Sequence, residues 1–194
     1  MKTLGIVTRC HPKRPGMLQN CIKSVKGQSC DDYVHLFIKD DTGIGVREAN
    51  KLLEKVNIPD VQYVMVLDDD DMLTSQSFVG DFVLFVKNKP DVVIMKGIVG
   101  GHGVLPLDKA WQKPLKRGGI GSFCFAVCKA LWEQNISAWG GTDNFAIMGD
   151  FSFINKCFHE ATTVYWMDKV VAATQRISRG AAEPKPEEVY DGRK

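Results

Sequence analysis

The sequence lacks the marks of several large protein classes. None of its 194 residues fall in an apolar run near the ~18 needed to cross a bilayer. The opening "MKTLGIVTRC" has too short an apolar run, and meets Arg9 too early, for a secretory signal. There are six cysteines but no C-x-x-C, and the four histidines fall in no ligand spacing. That argues against a zinc or iron–sulfur centre and leaves reduced, mostly buried thiols of an intracellular, cytoplasmic protein. There is no P-loop, and "KGIVGGHGV" lacks the G-x-G-x-x-G order of a dinucleotide loop, with no amphipathic helix behind it. An excess of one charge is missing too. The 25 Lys and Arg against 23 Asp and Glu leave +2, too little to imply nucleic acid or membrane by itself. No internal repeat and no linker interrupts the chain.

What is present is a globular composition, 44% hydrophobic and 25% charged, of a length that suits one domain. "TLGIVTRC", "YVHLFIKDDTG", "VQYVMVLDDDD" and "DVVIMKG" read as strands. Between them, "MLQNCIKSVKGQ", "GVREANKLLEKVN" and "QSFVGDFVLFVKNK" carry apolar residues at helical spacing. A β-α-β-α-β-α-β order with crossover-length connections predicts an α/β fold with a parallel, doubly wound sheet covered by helices. The second half opens on a Gly-rich and Lys-rich stretch. It continues with "SFCFAVCKALWEQ", "NFAIMGDFSFINKCF" and "ATTVYWMDKVVAATQRI", read as strand-to-helix, helix and strand. The polar, Pro-containing end is expected to be a mobile tail.

Ligands of such sheets bind beyond the carboxyl ends of the strands. Three strand ends here carry polar or acidic groups: Thr8 and Arg9, Asp40 and Asp41, and Asp68 to Asp71. Four like charges after an apolar strand need an offset, since two unit charges ~4 Å apart repel by ~4 kcal/mol at an effective dielectric near 20. The offset is either solvation or a bound cation. Alternation along an extended chain puts Asp68 and Asp70 on one face and Asp69 and Asp71 on the other. Asp71 then caps the following turn. A hard divalent ion, Mg²⁺ or Mn²⁺, suits the carboxylate oxygens.

Four segments together resemble the GT-A glycosyltransferases, family 2 above all: "VTRCHPKRPGMLQNCIKSVKGQ", "FIKDDTG", "GVREANKLLEK…YVMVLDDDDML" and "GGTDNFAIMGDFSFINKC". The resemblance runs from Thr3 to about Phe158. It implies a GT-A, Rossmann-like, mostly parallel sheet flanked by helices in one domain over 1–176. A nucleotide-sugar half would cover 1–100, an acceptor half 101–176, and a flexible tail 177–194. It also implies transfer from a nucleotide sugar, most commonly a UDP-sugar, to a hydroxyl of a glycan, a lipid-linked acceptor or another molecule. Carried over residue by residue, Thr8 helps contain the nucleotide, and Asp40, or else Asp41, contacts the base or ribose. Arg47 approaches the pyrophosphate or orders the Asp40 loop. Asp68-Asp69-Asp70 is the D-x-D motif, with Asp68 towards the ribose and Asp70 on the metal. Asp150 is the general base of an inverting transfer, and its position in "MGDFSF" also fits a first-turn helix acid.

The chain departs from the family in two places. The loop "RCHPKRP" is longer than usual, and Arg14 is the choice for the basic residue that meets the nucleotide. "VVAATQRISRG" holds no histidine where many relatives place a metal ligand; Arg176 and Arg179 there are available to the pyrophosphate or to solvent. The basic segment Lys109, Lys113, Lys116 and Arg117 with Trp111 reads as a solvated face or as a guide for an anionic acceptor or nucleic acid. An acidic strand end also serves nucleotidyl or phosphoryl transfer, and an inert nucleotide-sugar-binding module would keep the same fold.

Overall fold

The structure is a computed structural model that describes residues 1–40, 46–140 and 149–175, with the backbone alone at 46 and 47. Its first strand, β1 (Lys2–Cys10), is buried without a break from Thr3 to Thr8, as expected of a strand covered on both faces. Helix α1 (Pro15–Lys26) starts on Pro15, whose fixed φ suits a first helical turn, and turns Met17, Cys21 and Val25 inward. It ends where the Gly27 N–H donates to the Lys23 carbonyl. The chain then runs through β2 (Tyr33–Lys39), α2 (Val46–Leu52), β3 (Val61–Val66), β4 (Asp71–Leu73), α3 (Phe78–Phe85), β5 (Val92–Val99) and β6 (Gly103–Leu105). It closes with β7 (Phe125–Cys128), α4 (Lys129–Asn135), α5 (Gly149–Glu160) and β8 (Val164–Thr174).

The strand order is β2-β1-β3-β7-β5-β8-β4, with β6 paired to β5. β1 runs parallel to β2 and to β3, while β7 is antiparallel to both of its neighbours, β3 and β5. β5 therefore points the same way as β3, and β8 lies parallel to β5. The expected parallel frame is present, but the sheet as a whole is mixed. The reason is that the second half sends β7 back into the gap between β3 and β5. β4 pairs antiparallel with β8, Asp71 opposite Thr174. Asp71 is thus a buried strand residue and not the cap of a following turn that its place before Met72-Leu73-Thr74 suggests.

On one side of the sheet Phe125, Trp132, Trp139 and Phe153 form a cluster of tilted, edge-on and stacked rings that seats α4 and α5. On the other, Phe78 and Phe82 of α3 pack near Tyr63. Gly97 lies flat under Phe123, where a Cβ would stand 2.0 Å from the ring. That contact fixes the turn that carries Ser122. All six cysteines are unpaired, and burial pushes the Cys21, Cys124 and Cys157 thiols up to about 12, so they stay protonated. Among the described residues no helix is long and apolar enough to cross a membrane.

The sheet is tied across its first three strands by Thr8. Its hydroxyl donates to the Leu67 carbonyl at 2.8 Å, which makes His35 Nε2–H, also 2.8 Å away, the donor into Thr8 Oγ1. Burial, with Lys26 adding repulsion, pushes His35 down to about 4. An unfolded histidine titrates near 6.5, so below that pH the unfolded chain takes up a proton that the folded chain refuses. The contribution is complete above pH ~6.5 and is lost as pH falls towards ~4, by no more than ~3 kcal/mol because the ring is partly exposed. His35→Gln keeps a donor to Thr8 and removes the titration. In urea denaturation the stability gap between wild type and variant should shift by ~1–3 kcal/mol between pH 7.5 and 4.5, to the wild type's loss at acid pH.

Candidate active site

The chain leaves the sheet after Val66 and closes a tight turn, with the Asp71 N–H donating to the Asp68 carbonyl at 3.0 Å. The turn breaks the alternation expected of an extended run. Asp68, Asp70 and Asp71 each bring one carboxylate oxygen to within 4.8 Å of the others. The Asp68 N–H donates back to Asp71 Oδ2 at 3.2 Å.

Two arginines from the first strand and its loop meet these acids. Arg9, at the end of β1, clasps Asp68 with both arms of its fork: Nε–H to Oδ1 at 2.6 Å and Nη2–H to Oδ2 at 2.5 Å. Its Nη1 donates to Asn50 Oδ1, and the guanidinium lies 5.8 Å from the centre of the Trp139 ring. Asp68 and Asp150 hold Arg9 firmly charged despite its burial. Arg14, just before α1, bridges Asp69 Oδ1 at 2.8 Å and Asp70 Oδ1 at 3.1 Å with one nitrogen, Nη1. Asp69 Oδ2 accepts the His11 N–H at 2.6 Å.

Burial sets the protonation of the inner acids. It pushes Asp69 up to about 6 against the pull of the His11 N–H and Arg14, with Asp70 and Asp68 adding repulsion. It raises Asp71 well above the usual carboxylate range, again with Asp70 and Asp68 adding to it. The repulsion of four acids is therefore offset by two guanidinium groups and by a tendency to keep a proton on the inner carboxyls. An all-oxygen group of Asp68, Asp70 and Asp71 suits a hard divalent ion, whose positive charge would replace that proton.

The turn is braced from behind by Gln175, which follows β8. Its N–H donates to the Asp70 carbonyl at 2.7 Å, and its side-chain amide donates to the carbonyls of Met17, Asp69 and Asp71 at 3.0 to 3.3 Å. Its Oε1 is taken by Asn20. Gln175 therefore braces the turn by satisfying its backbone carbonyls.

Asp150 lies in the first turn of α5, with Oδ1 accepting the Phe151 N–H at 2.7 Å. What carries it to the site is Gly149. A Cβ there would stand 2.2 Å from the Trp139 carbonyl and 2.5 Å from Asn50 Nδ2. The start of α5 thus packs on Asn50 and Trp139, the same two residues that hold Arg9. Asp40 sits buried at the end of β2, its N–H on the Cys10 carbonyl at 2.9 Å. The Thr8 hydroxyl faces inward and is used by β2 and β3. Arg47 is on α2, and Asp41, Arg176 and Arg179 lie outside the described residues. Of the predicted residues the structure brings together Arg14, Asp68, Asp69 and Asp70, with Asp150 in electrostatic reach through Arg9. Sequence reasoning passed over Arg9 as a site residue, and missed Asn50, Gln175 and the third clustered acid, Asp71. Arg9 alone carried a signal, by ending a strand next to Thr8.

No protein-family model matches the chain, and no curated protein sequence does. Solved structures do. It superposes on S. aureus TarS 1–349 in complex with UDP with a TM-score of 0.67 and 13% identity, over 97% of this chain and 62% of that one. It also superposes on a glycosyltransferase involved in glycosylation of the major capsid of PBCV-1, with a TM-score of 0.59 and 12% identity, over 91% and 95%. The chain has a GT-A glycosyltransferase fold. In this fold the aspartate turn leaves β3 at the carboxyl end of the parallel frame, the edge where α/β sheets bind ligands. The chain spans about 62% of the length of TarS 1–349. TarS 1–349 has also been solved with UDP-GlcNAc, superposing at a TM-score of 0.59 and 13% identity over 94% of this chain and 60% of that one.

The close seat of Gly149 gives a direct test. Gly149→Ala has nowhere to put its methyl group against a backbone carbonyl, so α5 must shift. The variant should lose ~1–3 kcal/mol of stability, read by urea denaturation. A Gly→Ala change at an open helical position would instead stabilise by roughly 0.5–1 kcal/mol.

Proposed function

We propose that the protein is a metal-dependent glycosyltransferase. It moves a sugar from a nucleotide-sugar donor, a UDP-sugar, to an acceptor hydroxyl with inversion. The observation that carries this reading is the convergence of two acidic centres on one arginine within a GT-A fold. The aspartate turn after β3 meets Arg9 directly, and Asp150 at the start of α5 follows Gly149, which packs on the Asn50 and Trp139 that hold Arg9. UDP and UDP-GlcNAc bound to TarS support the donor class.

Mn²⁺ or Mg²⁺ would be held by Asp70, with Asp68 and Asp71 beside it, and when bound supplies positive charge for the departing diphosphate. The chain's own residues do the rest. Asp40, with Asp41 next to it, takes the base or ribose, and Thr8 closes the floor beneath. Asp68, oriented by Arg9, faces the ribose, and Asp69 keeps the turn in register. Arg14 and Arg47 serve the diphosphate, as do Arg176 and Arg179 from the C-terminal segment. Asp150 takes the acceptor proton as the acceptor oxygen bonds to the anomeric carbon and the bond from that carbon to the diphosphate oxygen breaks. One in-line displacement inverts the anomeric configuration.

Asp150→Asn separates chemistry from binding. The amide keeps the side-chain shape and can still accept the Phe151 N–H. If Asp150 is the base, titration calorimetry should find donor and Mn²⁺ affinities within about twofold of wild type. Sugar transfer, followed by mass spectrometry on the same preparation, should fall 10²- to 10⁴-fold. Near-normal transfer would remove Asp150 from that role. A panel of sugar nucleotides with Mn²⁺, monitored for free nucleoside diphosphate, identifies the donor.

A further inference from the structure

We propose that Arg14 is the resident cation of the aspartate turn, and that it exchanges Asp70 for the diphosphate when metal and nucleotide bind together. This rests on the donor reading given above.

Among the described residues the two arginines that meet the turn are held in different ways. Arg9 spends three nitrogens on two partners, lies against Trp139, and keeps only 14% of its side chain exposed. It is built in. The contacts of Arg14 to the turn run through Nη1 alone, its side chain is 25% exposed, and it stands on the loop that precedes Pro15. A long side chain hinged there, and held among the described residues by one atom, can swing without disturbing a strand or a helix.

Arg14 also stands in the metal's way. Its Nη1 lies 3.1 Å from Asp70 Oδ1, one of the three carboxylates that the clustered oxygens offer to an ion. A dication on that carboxylate would face a guanidinium a few ångströms away, and the like charges oppose each other. Arg14 therefore weakens binding of the metal by itself. A diphosphate changes the balance. It brings anionic oxygens that a guanidinium grips with both arms, a better partner than two carboxylates sharing one nitrogen. When nucleotide and metal arrive together, Asp70 is released to the ion and Arg14 passes to the phosphate. Asp69 keeps its His11 N–H throughout, so the turn holds its shape. The outcome is positive coupling: each ligand raises the affinity for the other by the same factor.

The test is calorimetry with Mn²⁺ alone, UDP alone and the two together, on wild type, Arg14→Met and Arg14→Lys. Circular dichroism confirms that each variant is folded. Wild type should bind Mn²⁺ weakly alone and at least tenfold more tightly with UDP present. Arg14→Met should move the two affinities in opposite directions: Mn²⁺ alone binds about tenfold more tightly, and UDP in saturating Mn²⁺ about tenfold more weakly. Arg14→Lys keeps the charge but not the fork, so Mn²⁺ alone should stay near wild type while UDP weakens. If wild type binds both ligands but Arg14→Met binds Mn²⁺ no more tightly, Arg14 is a fixed brace; the exchange is overturned and the donor reading stands. If Arg14→Met does not fold, Arg14→Lys decides, since unchanged UDP affinity in Mn²⁺ overturns the exchange. If wild type binds neither Mn²⁺ nor UDP, the donor reading falls and the exchange with it.

Discussion

Four adjacent carboxylates repel one another, and the site is organised by the way that repulsion is offset. Arg9 closes on Asp68 and Arg14 straddles Asp69 and Asp70, while burial raises the proton affinity of Asp69 and Asp71. Such partly buried pairs contribute little net stability when both partners are present, because each charge has given up water. Their cost appears when one partner is removed and the other stays behind, uncompensated. The pairing is thus better read as a device that holds a turn of high charge in one shape than as a source of stability.

That device wires the two sides of the site together. Arg9 leaves the parallel frame at the end of β1, reaches Asp68 beyond β3, and holds Asn50 on α2. Asn50 and the Trp139 carbonyl receive Gly149, and Gly149 sets Asp150. Gln175 ties the end of β8 to the back of the same turn. The acids of the turn and the proposed base are therefore separated by a short run of packed residues. A substitution in that run should be felt on both sides.

Much of the frame was legible in the sequence because it follows from period and burial. Continuous apolar runs marked β1 and β3, and the spacing of Met17, Cys21 and Val25 marked α1. The three polar strand ends follow β1, β2 and β3, and these strands lie side by side in the sheet. What could not be read came from long-range pairing. β7 is a four-residue strand, and nothing in "FAVC" says that it enters between β3 and β5. The bonds from Arg9 to Asp68 and Asn50 span 59 and 41 residues, which no local pattern reports. Asp71 was misplaced because alternation was carried past the point where the chain leaves the sheet. Gln175 was passed over because the search there was for a metal ligand, and its task is to satisfy backbone carbonyls.

The central claim is that the aspartate turn is the seat of a metal–diphosphate complex. It is tested most directly by an anomalous difference map from crystals soaked with Mn²⁺ and UDP, with data collected at the manganese edge. The account predicts one strong peak at the Asp70 carboxylate, beside the bound diphosphate, with the Arg9 to Asp68 clasp intact. A nucleotide bound away from the turn, or one bound there with no anomalous peak, would contradict it.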